Sequence, residues 1–521
     1  MIKIRNSAFT LDHVPRVRVA RLATRTSSTR DACSIAQVWE GADRFFVGRG
    51  ETKAWGIWGG DSGVCAEQRS RTGATRSERA LEISESVYAH RRSKVSRMQN
   101  PQFLFTSHRQ DFTTRLTQVL SPSSEVTSPE HLKGRKDDYE GALQALEMPG
   151  RHLVISGLRG VGKSSLALTT AMTLSRAKSR RDLPYVQCDQ DATFAVVIRD
   201  LCNQANGSNA LRRQRSETVG GGASLPGFLN TQAKSATTTR EAYPAPSSLN
   251  EAAMFIQQVA ERTGKRVFVV DELDLIQDED TKRQFSQLPK LLSALGVEAQ
   301  FIFCGTGASA TELLSAHPSA FRQFHPISLE RLKIQPRLDI IDDAAKAIGI
   351  DIGRNSRIRI AQISDGFPYF IHLICEKLLW SWFDDADRDQ QRTSPRHYEA
   401  AVAKASETAE PELKEPYERV VQKQKLDGEI IVWAMADGSS LEKNVEGAFR
   451  DYQALALAHG DEVLTREQLN SRLNNFKRDS YGRILKSDKR AWYEFTEKRM
   501  RGYARLRAAR RNVMLKGDHP G

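Results

Sequence analysis

Eight consecutive residues, Gly157-Leu158-Arg159-Gly160-Val161-Gly162-Lys163-Ser164, have the types and spacing to hold the phosphates of a nucleotide. They fit the pattern G-x-x-x-x-G-K-[ST], whose glycines let the backbone curl with its N–H groups turned inward on phosphate oxygens. Lys163 is long enough to reach the β- and γ-phosphates, and Ser164 can place its hydroxyl on a magnesium ion. Gly157, Gly160, Val161 and Gly162 form the cradle. Ser165 opens the helix behind it, whose N-terminus favours anions.

Chemistry at the terminal phosphate needs carboxylates as well, and Asp271-Glu272 ends an apolar run, Arg266-Val267-Phe268-Val269-Val270, well downstream of the loop. An aspartate at the end of a core strand can hold magnesium through its water shell. The glutamate beside it can orient or deprotonate water, so hydrolysis needs it and binding does not. Asp274 either extends this pair or caps the helix that follows. Thr306, ending the next apolar run, is either a polar residue that helps position the water or a turn threonine between Gly305 and Gly307. Arg322 is either an arginine that neutralises transition-state charge across a subunit interface or a surface charge.

Positioning these groups requires strands that end together. His152–Ser156 reads as a buried strand entering the phosphate loop, and Ser165–Met172 as a helix leaving it. Leu183–Asp189, Arg266–Glu272 and Ala299–Thr306 read as further strands, separated by helices over 192–203, 250–262 and 282–295. This alternation predicts an α/β fold, a parallel sheet with helices on both faces. A Gly/Ser/Thr/Asn-rich stretch over 205–248 interrupts it and reads as an exposed, flexible insert.

The net charge of +13 is unevenly distributed. Residues 1–97 hold 18 Lys/Arg against 10 Asp/Glu, and residues 466–511 hold 15 against 5, so the stretch between them is mildly acidic. Residues 1–97 are Arg-, Ser- and Gly-rich without sustained apolar periodicity. Three readings compete there: a disordered basic arm, a spurious extension ahead of Met98, or an Arg-rich transit peptide, the last opposed by early acidic residues. Six cysteines without a C-x-x-C pair suit neither a disulfide framework nor a zinc site and point to a reducing cytoplasm. With no run of 18 apolar residues, neither a membrane span nor a membrane partner is expected.

Taken in order, Leu132-Lys133-Gly134-Arg135, the phosphate loop, Val270-Asp271-Glu272-Leu273-Asp274 and Asp365-Gly366-Phe367-Pro368 resemble the AAA+/STAND group of P-loop ATPases. The branch they are most similar to is that of the origin-recognition initiator ATPases. The resemblance spans about residues 130–385. It implies ATP as the nucleotide with Mg2+, Gly134 and Arg135 beside the adenine, and Gly366 and Pro368 on a helical lid. No lid arginine stands at a clear sensor position after Pro368, and His372 lies in that helix instead. The domains that follow are an ATPase core over 98–330, a helical lid over 331–412 and a basic domain over 413–521.

In that last region, helices over 429–436 and 449–458, a third opened by Thr465, and a hairpin over 482–495 resemble a winged helix, the module initiator-like ATPases carry after the lid. Arg472, Asn474, Asn475 and Lys477 would face a DNA groove, and Lys486, Lys489 and Arg490 would meet phosphates. From Lys498 to Arg511 a dense run of arginines reads as a positive stripe for double-stranded DNA, giving residues 466–511 as the interface. The alternatives are a solvated basic helix or a winged helix used for protein contacts. A homo-oligomer is a further expectation of the resemblance. Two functions compete: an ATPase whose nucleotide state controls a DNA-engaging module, and a switch or scaffold, such as a defence or signalling sensor, with slow or no turnover and no direct DNA binding.

Overall fold

The computed structural model describes residues 101–207, 242–308, 310–311, 322–460 and 462–517. The expectations for residues 1–97, and for most of the insert at 205–248, lie outside the described residues. Five parallel strands form the central sheet: β1 (His152–Gly157), β2 (Tyr185–Gln187), β3 (Val267–Asp271), β4 (Gln300–Gly305) and β5 (Phe324–Leu329), ordered β2-β3-β4-β1-β5.

Both faces are covered, so the inner strands are apolar almost throughout rather than alternating. Leu153, Ile155, Val269, Ile302 and Cys304 share a core with Leu166 and Leu168 of α3 (Lys163–Ser175), on the side that also carries α2 (Lys136–Glu147). Val154, Phe268, Val270, Phe301 and Phe303 point the other way. They pack against α4 (Phe194–Asn206), α5 (Leu249–Thr263) and α6 (Glu279–Ala294). The helix α6 is capped by Asp278, whose side chain accepts from the Thr281 amide, and not by Asp274. Strand β5 escapes the sequence reading because Pro326 interrupts it. Among the described residues the strand pairs only with β1, and a proline missing its N–H is tolerated on such an edge.

A helix the sequence reading also missed, α1 (Pro101–Val119), docks on the region after the sheet. There Phe112 stacks on Phe383 at 4.3 Å and meets Trp380 edge-on at 4.8 Å. That region is helical as expected: α7 (Ile334–Ile348), α8 (Arg354–Ile363), α9 (Pro368–Asp384) and α10 (Pro395–Thr408). A longer helix than foreseen follows, α11 (Pro411–Ala436); Pro416 and Gly428 disguise its continuity in the sequence.

Beyond it come β6 (Glu442–Asn444), α12 (Val445–His459), α13 (Arg466–Asn475), β7 (Leu485–Lys486), β8 (Trp492–Phe495) and α14 (Met500–Arg510). The three strands form an antiparallel sheet ordered β6-β8-β7. Thr465 opens α13 with a reciprocal cap, its hydroxyl accepting from the Gln468 amide while the Gln468 side chain accepts from the Thr465 amide.

The run from Lys498 to Arg511 is not an exposed stripe. Met500, Tyr503, Ala504 and Leu506 bury α14 against α8, α10 and α11. Every cation in the run meets a carboxylate: Lys498 meets Glu494, Arg499 meets Glu410, Arg501 and Arg505 meet Asp365, Arg507 meets Glu418, Arg510 meets Glu407, and Arg511 meets Glu429. The expectation of free positive charge there is corrected. Much of the excess in the tail is neutralised by the acidic middle of the same chain.

Candidate nucleotide site

The phosphate loop joins β1 to α3, and its conformation depends on two glycines in particular. Gly157 has φ +150°, and a Cβ there would lie 2.5 Å from the Leu329 carbonyl oxygen of the neighbouring strand. Gly160 has φ +81°, and its Cβ would lie 2.6 Å from the Arg499 side chain. Only a residue without a side chain fits either place. Lys163 folds back, its Nζ donating to the Gly157 and Leu158 carbonyls at 3.2 Å each. Ser165 is tied down, its Oγ accepting from the Val126 amide at 3.1 Å. Ser164 is half-buried at the start of α3.

Strand β3 delivers Asp271, which is 2% exposed, to the same end of the sheet. Strands β1 and β3 are not neighbours; β4 lies between them. Cys304 of β4 lies in that gap, where its thiol faces Asp271 and feels the charge of the Lys163 ammonium. Burial, followed by the Asp271 charge, pushes that thiol far above its ordinary range, so it remains a donor.

Two residues of β2 hold the acidic pair. The Tyr185 hydroxyl donates to Asp271 Oδ2 at 2.8 Å, and Gln187 Nε2 donates to Glu272 Oε2 at 2.8 Å. Glu272 itself sits in the left-handed region, at φ 54°, a conformation costly for a residue with a Cβ. Its amide turns back onto Asp271 Oδ1 at 2.8 Å. Asp274 accepts from the Thr306 amide at 3.1 Å and so ties the end of β3 to the end of β4.

Thr306, Asp274, Gly157 and Arg159 line one cleft of about 1180 Å³, whose far wall includes Glu497 and Lys498. A second hollow, of about 380 Å³, is bounded by Gly134, Arg135, Asp138, Leu332 and Pro336. Arg135 is buried there, and its guanidinium donates to the Val161 carbonyl of the phosphate loop at 3.0 Å and to the Glu330 carbonyl. That side chain clamps the loop to the end of β5, and the hollow is the space beside it.

One expected residue lies elsewhere. Arg322 is exposed two residues ahead of β5, whose first residue, Phe324, pairs in register with His152 at the far end of β1, about 17–20 Å of strand away from the loop. It does not reach its own chain's site. His372 is 5% exposed and accepts from the Ser121 amide at 3.4 Å, so it serves the docking of the segment after α1. Pro368 occupies the first turn of α9, where a missing N–H costs nothing, and Gly366 packs on the Leu332 carbonyl. The sequence reading missed Tyr185, Gln187 and Cys304. Their only signal is position, at or near the ends of strands flanking the acidic pair.

Residues 131–302 match the family described as AAA ATPase domain, and this part of the chain is such a domain. No curated protein matches the chain. Among solved structures the chain is similar to a Walker-type ATPase of Pyrococcus abyssi, with 15% identity over 74% of this chain and 99% of that one, at a TM-score of 0.42. It is similar too to Cdc6p of Pyrobaculum aerophilum (16% identity, 76% and 98% covered, TM-score 0.39). The Aeropyrum pernix ORC2 protein is a third (13% identity, 76% and 98% covered, TM-score 0.42). Among the described residues no helix is long and apolar enough to cross a membrane.

Proposed function

We propose that the chain is a magnesium-dependent ATPase whose nucleotide state controls a DNA-engaging C-terminal module. The observation that carries this reading is that the parallel strands β1, β4 and β3 lead Lys163, Thr306 and Asp271 out of the same end of the sheet, where the charges of the lysine and the aspartate both act on Cys304. Glycines at which a Cβ would clash, and a lysine held among the described residues by two loop carbonyls, suit a polyphosphate. The hydroxyl of Ser164 and the carboxylate of Asp271 are the hard oxygen donors magnesium takes, with nucleotide and water filling its other positions. A magnesium ion bound there would neutralise charge on the outer phosphates.

In this reading Lys163 turns from the loop carbonyls to the β- and γ-phosphates. Asp271, fixed by Tyr185 and Cys304, holds its carboxylate still. Glu272 leaves Gln187 to orient the attacking water, which displaces the leaving diphosphate oxygen. Thr306 stands beside that water, and Arg322 acts on the site of a second copy. Gly134 and Arg135 border the hollow for the base, with Gly366 and Pro368 at the foot of the lid.

The order helix, strand, helix, helix, strand, strand over α11–β8 supports a winged helix. Of its cations, Lys477, Arg478 and Arg490 are exposed, and among the described residues neither they nor Arg472 is in an ion pair. They form the surface proposed for double-stranded DNA, smaller than residues 466–511 as a whole. One observation favours the second reading, a switch with slow turnover: Glu272 is engaged by Gln187.

Lys163→Ala should lose ATP binding in a calorimetric titration. Glu272→Gln should bind ATP as the parent does and lose turnover by about 10²-fold or more. Equal turnover in that variant removes the assigned role. Duplex DNA that accelerates turnover supports the first function, and tight ATP binding with negligible turnover the second.

A further inference from the structure

The phosphate loop is touched from outside by residues some 250–340 positions later in the chain. Arg159 pairs with Glu412 at 2.9 Å. Beside it the stem of Arg499 lies on Gly160, and the Arg499 guanidinium meets Glu410 at 2.7 Å, Glu412 at 3.3 Å and Glu497 at 3.3 Å. Glu410 and Glu412 mark the passage from α10 into α11, while Glu497 and Arg499 lie just ahead of α14. Two arginines and three carboxylates are therefore collected at the apex of the loop, a local charge of −1 where a polyphosphate would bring three or four more negative charges. Arg159 and Glu497 also line the cleft that holds Thr306 and Asp274, the side on which a terminal phosphate would lie.

From this geometry we infer that Glu410 and Glu412 compete with the terminal phosphate of a nucleoside triphosphate for Arg159 and Arg499. A triphosphate exchanges the carboxylates for its own oxygens and so loosens α14 and its flanking segment from the phosphate loop; a diphosphate, lacking that group, leaves the cluster intact. The inference rests on the loop binding nucleotide and adds to it the means by which the third phosphate is sensed. A guanidinium offers the same planar donor fork to carboxylate and phosphate, so the exchange requires no new type of contact. A ligand shifts such an equilibrium only as far as its affinities for the two states differ. Here the differential contact is the terminal phosphate on the two arginines.

The test uses the full chain with ATPγS and ADP as probes. Glu412 and Arg159 are both half-exposed, so neither Glu412→Gln nor Arg159→Ala threatens the fold. Glu412→Gln should tighten ATPγS about tenfold and leave ADP within twofold. In an Arg159→Ala background, the Glu412→Gln gain should shrink to about threefold or less. Hydrogen exchange over Met500–Arg510 should rise with ATPγS and not with ADP. An equal shift of both nucleotides, or none, overturns the exchange, as does exchange at α14 indifferent to the third phosphate. Failure of the parent chain to bind either nucleotide, with Lys163→Ala no different from it, would instead overturn the site reading itself.

Discussion

Two regions of this chain are rich in cationic and polar groups of similar sequence appearance, and the fold treats them oppositely. At the phosphate loop, Lys163 has among the described residues only two backbone carbonyls as hydrogen-bond partners. Along α14, Arg501 and Arg505 are buried on one carboxylate, that of Asp365, which Arg331 also reaches at 2.7 Å. Both carry positive charge on a helix or its approach, yet one charge is held ready and the other is spent on architecture. What separates them is whether the fold itself supplies the anion. Charge density in a sequence reports the sign of a region, and only the fold reports how much of it remains available.

The comparison breaks most sharply at Asp365. Burial alone would push its carboxyl up, but the guanidiniums of Arg501, Arg505 and Arg331 hold it below the ordinary carboxylate range. Asp365→Asn leaves buried arginines without their anion and should cost about 3–5 kcal/mol, read as a large fall in denaturation midpoint. A loss under 1 kcal/mol would mean that α14 is only loosely docked and that its arginines are available to outside partners after all.

Acid offers a second probe, acting on the two layers at once. His152 is fully buried, its Nδ1 accepting from the Phe301 amide, and burial lowers it to about 3. His372 is lowered to about 4 by burial and then by nearby His131. Both are depressed below the unfolded value near 6.5, so the unfolded chain takes up protons first as pH falls. Stability should therefore decline from about pH 6.5 down to pH 4, at up to about 1.4 kcal/mol per pH unit for each histidine. Below pH 4, of the two histidines only His152 continues the decline, joined there by Asp365, whose depressed carboxyl begins to protonate. His152→Gln should shrink the slope in a denaturant series at pH 7, 6 and 5; an unchanged slope would show that the ring is not the titrating group.

How much of this was legible follows the same division. Phosphate loop, acidic pair and four of the five strands could be read because each is local: a glycine pattern, an apolar run, a carboxylate at its end. Strand β5 was hidden by Pro326, and α1 because its apolar residues, Phe112 and Leu116, gain their meaning only from distant partners such as Trp380 and Phe383 on α9. The pairing of the tail with Asp365, Glu410 and Glu429 was invisible, since partners 80 to 140 residues apart leave no mark on local spacing. Tyr185 and Cys304 were overlooked for a related reason. Nothing about a tyrosine or cysteine in an apolar strand announces which carboxylate it faces.

Tyr185 gives the smallest effect and the finest distinction. Its hydroxyl, pushed far up by burial and by the Asp271 charge, stays protonated and can only donate to that carboxylate. Tyr185→Phe removes one hydrogen bond to a charged group and keeps the ring over which Arg180 lies at 4.3 Å. It should cost about 1.5–3 kcal/mol at most, and about 1 kcal/mol if water replaces the hydroxyl. If the bond serves to fix Asp271 for a metal, the variant should also need several-fold more Mg2+ for half-maximal ATPase activity, with full activity restored at high Mg2+. If the tyrosine is only packing, stability changes slightly and the Mg2+ requirement stays where it was, because a loosened strand has no reason to discriminate between metal concentrations.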